Sequence, residues 1–421
     1  MQFDSLVDWL AWQETLHPSE IELGLERIAR VFHKLYPEPE LPVVITVAGT
    51  NGKGSSVAML DAIFREAGYK VGKYTSPHLF NYNERIVING QPVSDEQICC
   101  AFERINQARA DISLTYFEFG TLAALDIFLQ DKLDVIILEV GLGGRLDAVN
   151  IIDPDVALIT AISLDHTQWL GSDLASIAKE KAGIMRSNKP VVSSGQYEIV
   201  TLADLASKIG ARLYQVGNDF SFNKQDDGTW RWQSRQQIRS ALPLPALYGE
   251  HQLENAAGAL MVVELLSQQL PISQQAIRHG LMSVALAGRF QIVPAEPVCI
   301  FDVAHNTGAL KQLARQLDNY PCGGRVLAVL GMLADKDRET ALAEIQHNIN
   351  EWFIAPLATS RTASAEELNR VLKSLDSSIN SHCFETVTMA FEQAMKTAQP
   401  EDCIVVFGSF YTVAEVMPQR L

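Results

Sequence analysis

A run of small and β-branched apolar residues, LPVVITVAG, occupies positions 41–49 and ends in glycine. At this length it reads as a strand buried on both faces, the kind found inside parallel sheets. The loop Gly49-Thr50-Asn51-Gly52-Lys53-Gly54-Ser55 comes next. After it, Val57, Leu60, Ile63, Phe64 and Ala67 recur at helical spacing, and Gly68 can cap the end. Strand, glycine loop and helix in succession open a βαβ unit. The glycines let backbone amides turn toward an anion, and the helix N-terminus adds positive potential. Lys53 can reach the outer phosphates of a nucleotide, and Ser55 offers a hydroxyl to Mg²⁺. The spacing is not the common G-x-x-x-x-G-K-[ST], because two residues separate Gly49 from Gly52 and Gly54 stands between Lys53 and Ser55. A plain glycine turn with a solvated lysine is the competing reading, and the strand–loop–helix context disfavours it.

The pattern repeats along the chain. LDVIILEVG (133–141) and DVALITAIS (155–163) read as further buried strands. A helix is expected over Ser172 to Ala182, with Ser172 as N-cap and Gly183 just beyond it. Residues 1–36 are largely helical by spacing and end at Pro37, Pro39 and Pro42; residues 215–247, around Trp230 and Trp232, look like a β excursion; HQLENAAGALMVVELL is helical again. From about Gly288, strand and helix alternate a second time through VCIFDVAH, RVLAVLGML, EWFIAPL and CIVVFG. With 421 residues and roughly 150 per domain, two or three domains are expected. We place them at 1–286 and 287–421, with a linker near 284–290.

Composition narrows the function. Lys+Arg 34 against Asp+Glu 50 leaves a net charge of −16, a poor basis for coating nucleic acid or an anionic membrane. A local cationic pocket for a small anion remains compatible with it. The six cysteines form no C-x-x-C pair, the N-terminus lacks a basic n-region, and no apolar run reaches the ~18 residues of a membrane span. A cytoplasmic protein with reduced thiols is the expectation.

Other residues could carry chemistry. Glu139 ends a strongly apolar strand, where an ionised carboxylate needs a partner or a metal. Ligands of open α/β sheets gather at the carboxyl ends of strands, so Glu139 fits a Mg²⁺ ligand, and a buried salt bridge fits too. The following run, Gly141 to Asp147, is glycine-rich enough to admit a ligand against its backbone. His166, after Asp165, suits a metal when neutral and phosphate when charged, or is an ordinary side chain. Lys181 alone reads as a salt-bridge partner. Asp302 and His305 close the strand VCIFDVAHN, with Arg289 upstream; each alone is equally well structural.

Together the segments VAGTNGKGSS, YTSPHL, LTYFEFGTLAAL, ILEVGLGGRLDAVNII, LDHTQWLG, EKAGI, GRFQ, FDVAHN and FGSFYTVAEV resemble, in order, the folylpolyglutamate synthase/dihydrofolate synthase family of the Mur ligase-like group. They span about residues 47–416 and look most like the bifunctional proteobacterial form. The resemblance implies an α/β Mur ligase-like P-loop ATPase domain with a parallel-sheet core and a smaller Rossmann-like α/β domain after it. It implies ATP-dependent joining of L-glutamate to dihydropteroate and to the γ-carboxylate of reduced folates, through an acyl phosphate. Thr50, Asn51, Gly52, Lys53, Gly54 and Ser55 would hold the phosphates, with Asn255 on adenine, Arg289 on phosphate and Asp302 on ribose. Ser76 and Glu139 would ligate one Mg²⁺. His166 and a carbamylated Lys181 would ligate a second, and a monovalent cation is a further cofactor to expect. Lys53, Lys181 and His166 would be the catalytic set, with His305 a candidate from the second domain. The pteroate would lie against Thr115, Tyr116, Phe117, Glu118, Leu146, Asp147 and Ala148, with Glu22 nearby. Val149 stands where the family commonly has a smaller residue, often threonine, which alters fit beside the pteroate. A monomer without nucleic-acid or membrane partners is implied.

Three alternatives compete. A monofunctional folylpolyglutamate synthase would share the ATP site and ignore dihydropteroate. A cell-wall ligase would need room for a UDP-binding domain, and only about 40 residues precede the loop strand. A nucleotide switch would bind ATP without turnover dependent on an amino acid, and the joint presence of Glu139, His166 and Lys181 argues against it.

Overall fold

The computed structural model describes residues 3, 5–19, 21–195 and 199–418. The chain divides into two compact units. The first comprises Met1–Ile162, Leu170–Ala246 and Gln252–Val284; the second comprises Ser163–Trp169, Leu247–His251 and Ala285–Leu421.

The first unit is built on an eight-stranded sheet. Its strands are β1 (Val43–Ala48), β2 (Val71–Tyr74), β3 (Ile86–Ile88), β4 (Gln91–Pro92), β5 (Val135–Glu139), β6 (Val156–Ile159), β7 (Pro190–Ser193) and β8 (Arg212–Gln215), in the order β4-β3-β2-β5-β1-β6-β7-β8. Six strands run parallel, and β3 and β4 form an antiparallel edge. β1 lies between β5 and β6, in register Val47 to Glu139 and Ala48 to Ile159. The expected loop and Glu139 therefore emerge side by side at the carboxyl edge of neighbouring strands, where open sheets collect ligands. β1 and β5 are almost wholly buried, which is why they read as uninterrupted apolar runs.

Helices Leu6–Leu16 and Glu26–Leu35 account for the helical N-terminus; residues 1, 2, 4 and 20 of that expectation lie outside the described residues. Trp9 fixes the first helix to the core, 5.8 Å from the Phe102 ring, and Phe102 lies edge-on to Phe119 at 5.3 Å. The β excursion is an antiparallel sheet of β9 (Phe220–Lys224), β10 (Thr229–Ser234) and β11 (Ile238–Pro243). Its Trp230 and Trp232 are buried, with their indole N–H groups donating to the Pro243 and Ala257 carbonyls at 2.8 and 3.1 Å. The expected helix from Ser172 begins instead at Leu174. Asp173 is its N-cap and accepts the Ser176 N–H at 2.8 Å, one residue later than the equally suitable serine.

The second unit holds a six-stranded sheet of β12 (Gln291–Val293), β13 (Val298–Phe301), β14 (Val326–Leu330), β15 (Glu351–Ile354), β16 (Ser381–Cys383) and β17 (Cys403–Phe407), ordered β12-β13-β17-β14-β15-β16. All pairs are parallel except β12 with β13. The helix expected over 339–349 is shorter, Arg338–Ala343 followed by a 3₁₀ turn.

Candidate functional site

The loop after β1 is shaped by what it touches. Gly49 has φ +154°, and a Cβ there would lie 1.8 Å from Thr160 Oγ1. Gly52 has φ +93°, and its Cβ would lie 2.3 Å from Asn255 Oδ1. Both positions exclude a side chain by contact as well as by backbone conformation. The Thr50 and Asn51 amides donate to the Ala161 carbonyl at 2.8 and 3.2 Å, and Thr160 Oγ1 donates to the Asn51 carbonyl at 2.8 Å. Gly52 caps the helix Lys53–Glu66, and having no side chain it leaves the first-turn amides of Lys53, Gly54 and Ser55 facing the loop.

Two lysines converge on one carbonyl. Lys53 Nζ donates to the Gly49 and Thr50 carbonyls at 3.0 and 3.2 Å. Lys181, on the helix Leu174–Ala182 and only 3% exposed, donates to the Gly49 carbonyl at 2.9 Å. The structure thus brings the two expected lysines together on one carbonyl, 128 residues apart in sequence. Glu139, buried at the end of β5, accepts the Ser76 N–H on Oε2 at 3.3 Å. A carboxylate with a serine hydroxyl on the adjoining residue is a hard oxygen donor set, the kind Mg²⁺ takes. Among the described residues, no group of three or more His, Cys, Asp or Glu side chains is placed to hold a metal.

The glycine-rich run packs on the Lys181 helix. The Arg145 amide donates to the Glu180 carbonyl at 2.8 Å, and a Cβ on Gly144 would meet that same carbonyl at 2.8 Å. Asp147 is buried. Its two oxygens take the Leu142 and Val149 amides at 2.7 and 3.1 Å, yet burial pushes its carboxyl up to about 7. Leu146 is half-buried, and Ala148 and Val149 are buried in the short 3₁₀ turn that Asp147 caps.

Thr115 and Glu118 meet as a capping box at the start of the helix Tyr116–Gln130. Glu118 Oε2 accepts the Thr115 N–H at 2.8 Å and its hydroxyl at 3.0 Å. Phe117 covers Gly141, whose Cβ would approach its ring to 2.6 Å, and the Arg85 guanidinium lies 5.5 Å from the Tyr116 ring centroid. Glu22 joins this group through Arg27, which pairs with both Glu22 and Glu118. The His17 hydrogen bond holds the Glu22 carboxyl below its usual range.

The remaining expected residues lie in the second unit, except Asn255, which the first unit holds beside Gly52 with its Nδ2 on Gln252 Oε1 at 3.0 Å. Asp302 accepts the Phe290 and Ala304 amides, both at 2.7 Å, and burial raises its carboxyl against the pull of Arg289. Arg289 lies 5.4 Å from the centroid of the Phe410 ring. His166 has φ +51°, and its amide donates to Asp165 Oδ1 at 2.8 Å. Asp165 also accepts from Lys336 Nζ at 2.7 Å and Asn306 Nδ2 at 2.9 Å, with His305 Nε2 at 3.8 Å. Burial alone would raise Asp165, but the facing His166, Lys336 and His305 hold it well below the carboxylate range. Burial and Lys336 push His305 down to about 4.

Thr160, Arg27 and Lys336 escaped the sequence reading. Thr160 and Lys336 carry no local signal, since each meets its partner across long stretches of chain. Glu118 did carry one: T-x-x-E before an apolar run is a capping-box signature.

A parallel sheet with an anion-ready glycine loop, a buried lysine donating to that loop and a second α/β sheet define a Mur ligase. The Mur ligase middle domain matches residues 47–263, and the glutamate ligase domain matches residues 288–410. The chain belongs, within that class, to the dihydrofolate synthase/folylpolyglutamate synthase family. It is 46% identical over 412 residues to the dihydrofolate synthase/folylpolyglutamate synthase of Escherichia coli (strain K12), covering 98% of this chain and 94% of the relative. It is 41% identical to that of Haemophilus influenzae, covering 97% and 96%. Among solved structures, Escherichia coli FolC in complex with DHPP and ADP superposes with a TM-score of 0.94 at 46% identity, covering 99% of this chain and 98% of that one. The folylpolyglutamate synthase of Mycobacterium tuberculosis complexed with ADP gives 0.88 at 28% identity, covering 97% and 98%. A bifunctional folylpolyglutamate synthase/dihydrofolate synthase with Mn, AMPPNP and L-glutamate bound gives 0.91 at 46%, covering 99% and 98%.

Proposed function

We propose that this chain is a bifunctional ATP-dependent carboxylate–amine ligase. It joins L-glutamate to dihydropteroate, making dihydrofolate, and to the γ-carboxylate of reduced folates. The observation that carries the reading is the Gly49 carbonyl gripped by Lys53 and Lys181, at the head of a helix whose first amides face the loop. That is a cradle for phosphate oxygens.

A carboxylate is a poor electrophile, and transfer of the ATP γ-phosphoryl converts it to an acyl phosphate with a leaving group. The glutamate amine then attacks, releasing phosphate. Thr50 to Ser55 hold the phosphates by their amides. Lys53 exchanges its loop carbonyls for phosphate oxygens and meets the charge that spreads during transfer. Asn255 lies beside the loop for the adenine, and Arg289 and Asp302 serve phosphate and ribose. Ser76 and Glu139 hold a first Mg²⁺, His166 and Lys181 a second, and a monovalent cation accompanies them. The bound divalent ions supply neutralisation of phosphate charge. Lys181 acts as a carbamate, which turns a cation into an oxygen ligand and keeps one N–H for the Gly49 carbonyl. Glu22, Thr115 to Glu118 and Leu146 to Ala148 receive the pteroate, and His305 is the second unit's candidate. Residues 1–286 form the ATP-binding catalytic domain and 287–421 the ligase domain of a cytoplasmic monomer. Among the described residues, no helix is long and apolar enough to cross a membrane.

The test is ADP release with Mg-ATP and L-glutamate, comparing dihydropteroate with tetrahydrofolate. Turnover with both supports the reading. Turnover with tetrahydrofolate alone reduces it to a monofunctional synthase. Turnover with neither discards the folate assignment.

A further inference from the structure

The second unit brings two thiols together at the amino edge of its sheet. β17, the inner strand between β13 and β14, opens at Cys403. β14 starts beside it: Val326 is in register with Cys403, and the Cys403 amide donates to the Arg325 carbonyl at 2.9 Å. The chain reaches β14 from the helix Thr307–Asn319 through Tyr320-Pro321-Cys322-Gly323-Gly324. That return lays Cys322 over the same edge. Its Sγ lies 3.5 Å from the Gly324 and Arg325 carbonyls and 3.9 Å from the Glu401 carbonyl. The Arg325 carbonyl thus accepts from both the Cys403 amide and the Cys322 thiol, residues 81 apart in the sequence.

The side chains meet as well. Cys403 shares its strand face with Val405 and Phe407, because side chains alternate along a strand. Val405 and Phe407 belong to the core that also takes Leu313 and Leu317 of the helix Thr307–Asn319, and Tyr320 packs against that core. The loop therefore returns on the face that Cys403 presents. Burial pushes the Cys403 thiol up to about 12, and its hydrogen bond with the Cys322 thiol acts in the same direction. Cys299, on the neighbouring strand, is in register with Ile404 and so turns to the other face, with its Sγ 3.8 Å from Met395 Sδ. Access separates the pair: Cys403 is 2% exposed, whereas Cys322 is only half-buried. A polar oxidant reaches Cys322 first, and Cys403 stands behind it. A Cβ on Gly323 would meet nothing nearer than 3.7 Å, so the loop has room to adjust. A buried cysteine alone is a small hydrophobe; packing does not call for a second, accessible thiol on the same carbonyl.

We propose that Cys322 and Cys403 form a reversible disulfide under hydrogen peroxide, with Cys322 reacting and Cys403 resolving, which ties the loop 320–325 to the inner strand of the sheet. The inference uses the second unit alone and stands apart from the ligase reading. The Cys322 thiolate attacks one peroxide oxygen, the O–O bond breaks, and hydroxide leaves, giving a sulfenic acid. The hydroxide takes up the proton the Cys322 thiol released. The Cys403 sulfur then displaces the sulfenic oxygen, the S–S bond forms, and the Cys403 proton leaves with that oxygen as water. Two thiols are oxidised and one peroxide is reduced to two waters. A dithiol restores both by exchange.

The test treats the full chain with hydrogen peroxide, alkylates remaining thiols in denaturant, and maps the unreduced digest by mass spectrometry. The expected product is a Cys322–Cys403 peptide pair in monomeric protein, lost on dithiothreitol. The oxidised chain melts about 5 °C or more above the reduced one, because a long loop is closed, and dithiothreitol removes the shift. In Cys322→Ser, Cys403 stays alkylatable and peroxide leaves the melting unchanged. In Cys403→Ala, Cys322 stops at the sulfenic acid and dimedone traps it; where that variant does not fold, Cys322→Ser carries the test. Cys322 oxidised to the sulfinic acid beside an alkylatable Cys403 overturns the proposal. So does a pair left reduced under peroxide that oxidises the exposed Cys100, a Cys322 link between chains, oxidation without a rise in melting, or a Cys403 that oxidises equally in Cys322→Ser.

Discussion

Gly49→Ala probes the loop most sharply. An ideal Cβ there would stand 1.8 Å from Thr160 Oγ1, 3.0 Å from its Cβ and 3.3 Å from its Cα. Thr160 is 1% exposed, β-branched, and committed through its hydroxyl to the Asn51 carbonyl at 2.8 Å. If Thr160 rotates, that hydrogen bond goes, at about 1 kcal/mol. If the backbone shifts instead, overpacking costs about 1–3 kcal/mol. A β-carbon at φ +154° adds strain of about 1 kcal/mol. The sum is about 2–4 kcal/mol, a fall of about 4–10 °C in the melting transition of the first unit. A backbone shift also moves the Gly49 carbonyl away from Lys53 and Lys181, and a rotated Thr160 frees the Asn51 carbonyl of the same loop, so KM for ATP rises. Thr160→Ala alone loses the Asn51 bond, about 1 kcal/mol. In the double variant the 1.8 Å clash is gone, and its destabilisation falls short of the sum of the singles by at least about 1 kcal/mol. Scanning calorimetry of the four proteins reads the coupling directly. Strict additivity, or a Gly49→Ala protein that melts with the wild type, would refute the reasoning.

Lys53→Ala removes two donors from loop carbonyls and the cation for the phosphates. We expect ADP release to fall by about 10²-fold or more with melting shifted by no more than a few degrees, checked by calorimetry beside the assay. Lys181→Ala abolishes turnover, and saturating bicarbonate does not restore it, since no amine remains to carbamylate; recovery under bicarbonate would sink that assignment. For Asp147 the folded carboxyl, near 7, lies above its unfolded value of 3.8. Its own contribution is whole below pH 4 and is lost as pH rises toward 7, opposite to the gain over the same window from His78, His251 and His305, which burial pushes down to about 4. Asp147→Asn removes that loss, so its urea midpoint gains on the wild type's from pH 4 through 5.5 to 7, and a difference that stays constant with pH would mean the carboxyl is not raised.

What the sequence disclosed follows from which forces are local. Buried parallel strands announce themselves because both faces are apolar, so β1, β5 and β6 were legible, and with them Glu139 as an acidic end to an apolar run. The second α/β alternation was legible for the same reason. Neighbours across the fold were not. The short interval between Gly49 and Gly52 looked like a departure from the common phosphate loop, and from the sequence it had no cause. In the structure each glycine answers a different neighbour: Gly49 faces Thr160 beyond β6, and Gly52 faces Asn255 on the helix His251–Leu265. The interval is therefore set by how far apart those two side chains stand, at residues 160 and 255 of the chain, and no window around residue 50 contains that information. The same holds for Lys336, which meets Asp165 from 171 residues away. Arg27 is the intermediate case. Its partner Glu22 is five residues away, within reach of local reasoning, but Glu118 is 91 residues away and gives the pair its meaning. The residues proposed for the chemistry were marked by type and motif, whereas residues that hold them in place were marked only by contact.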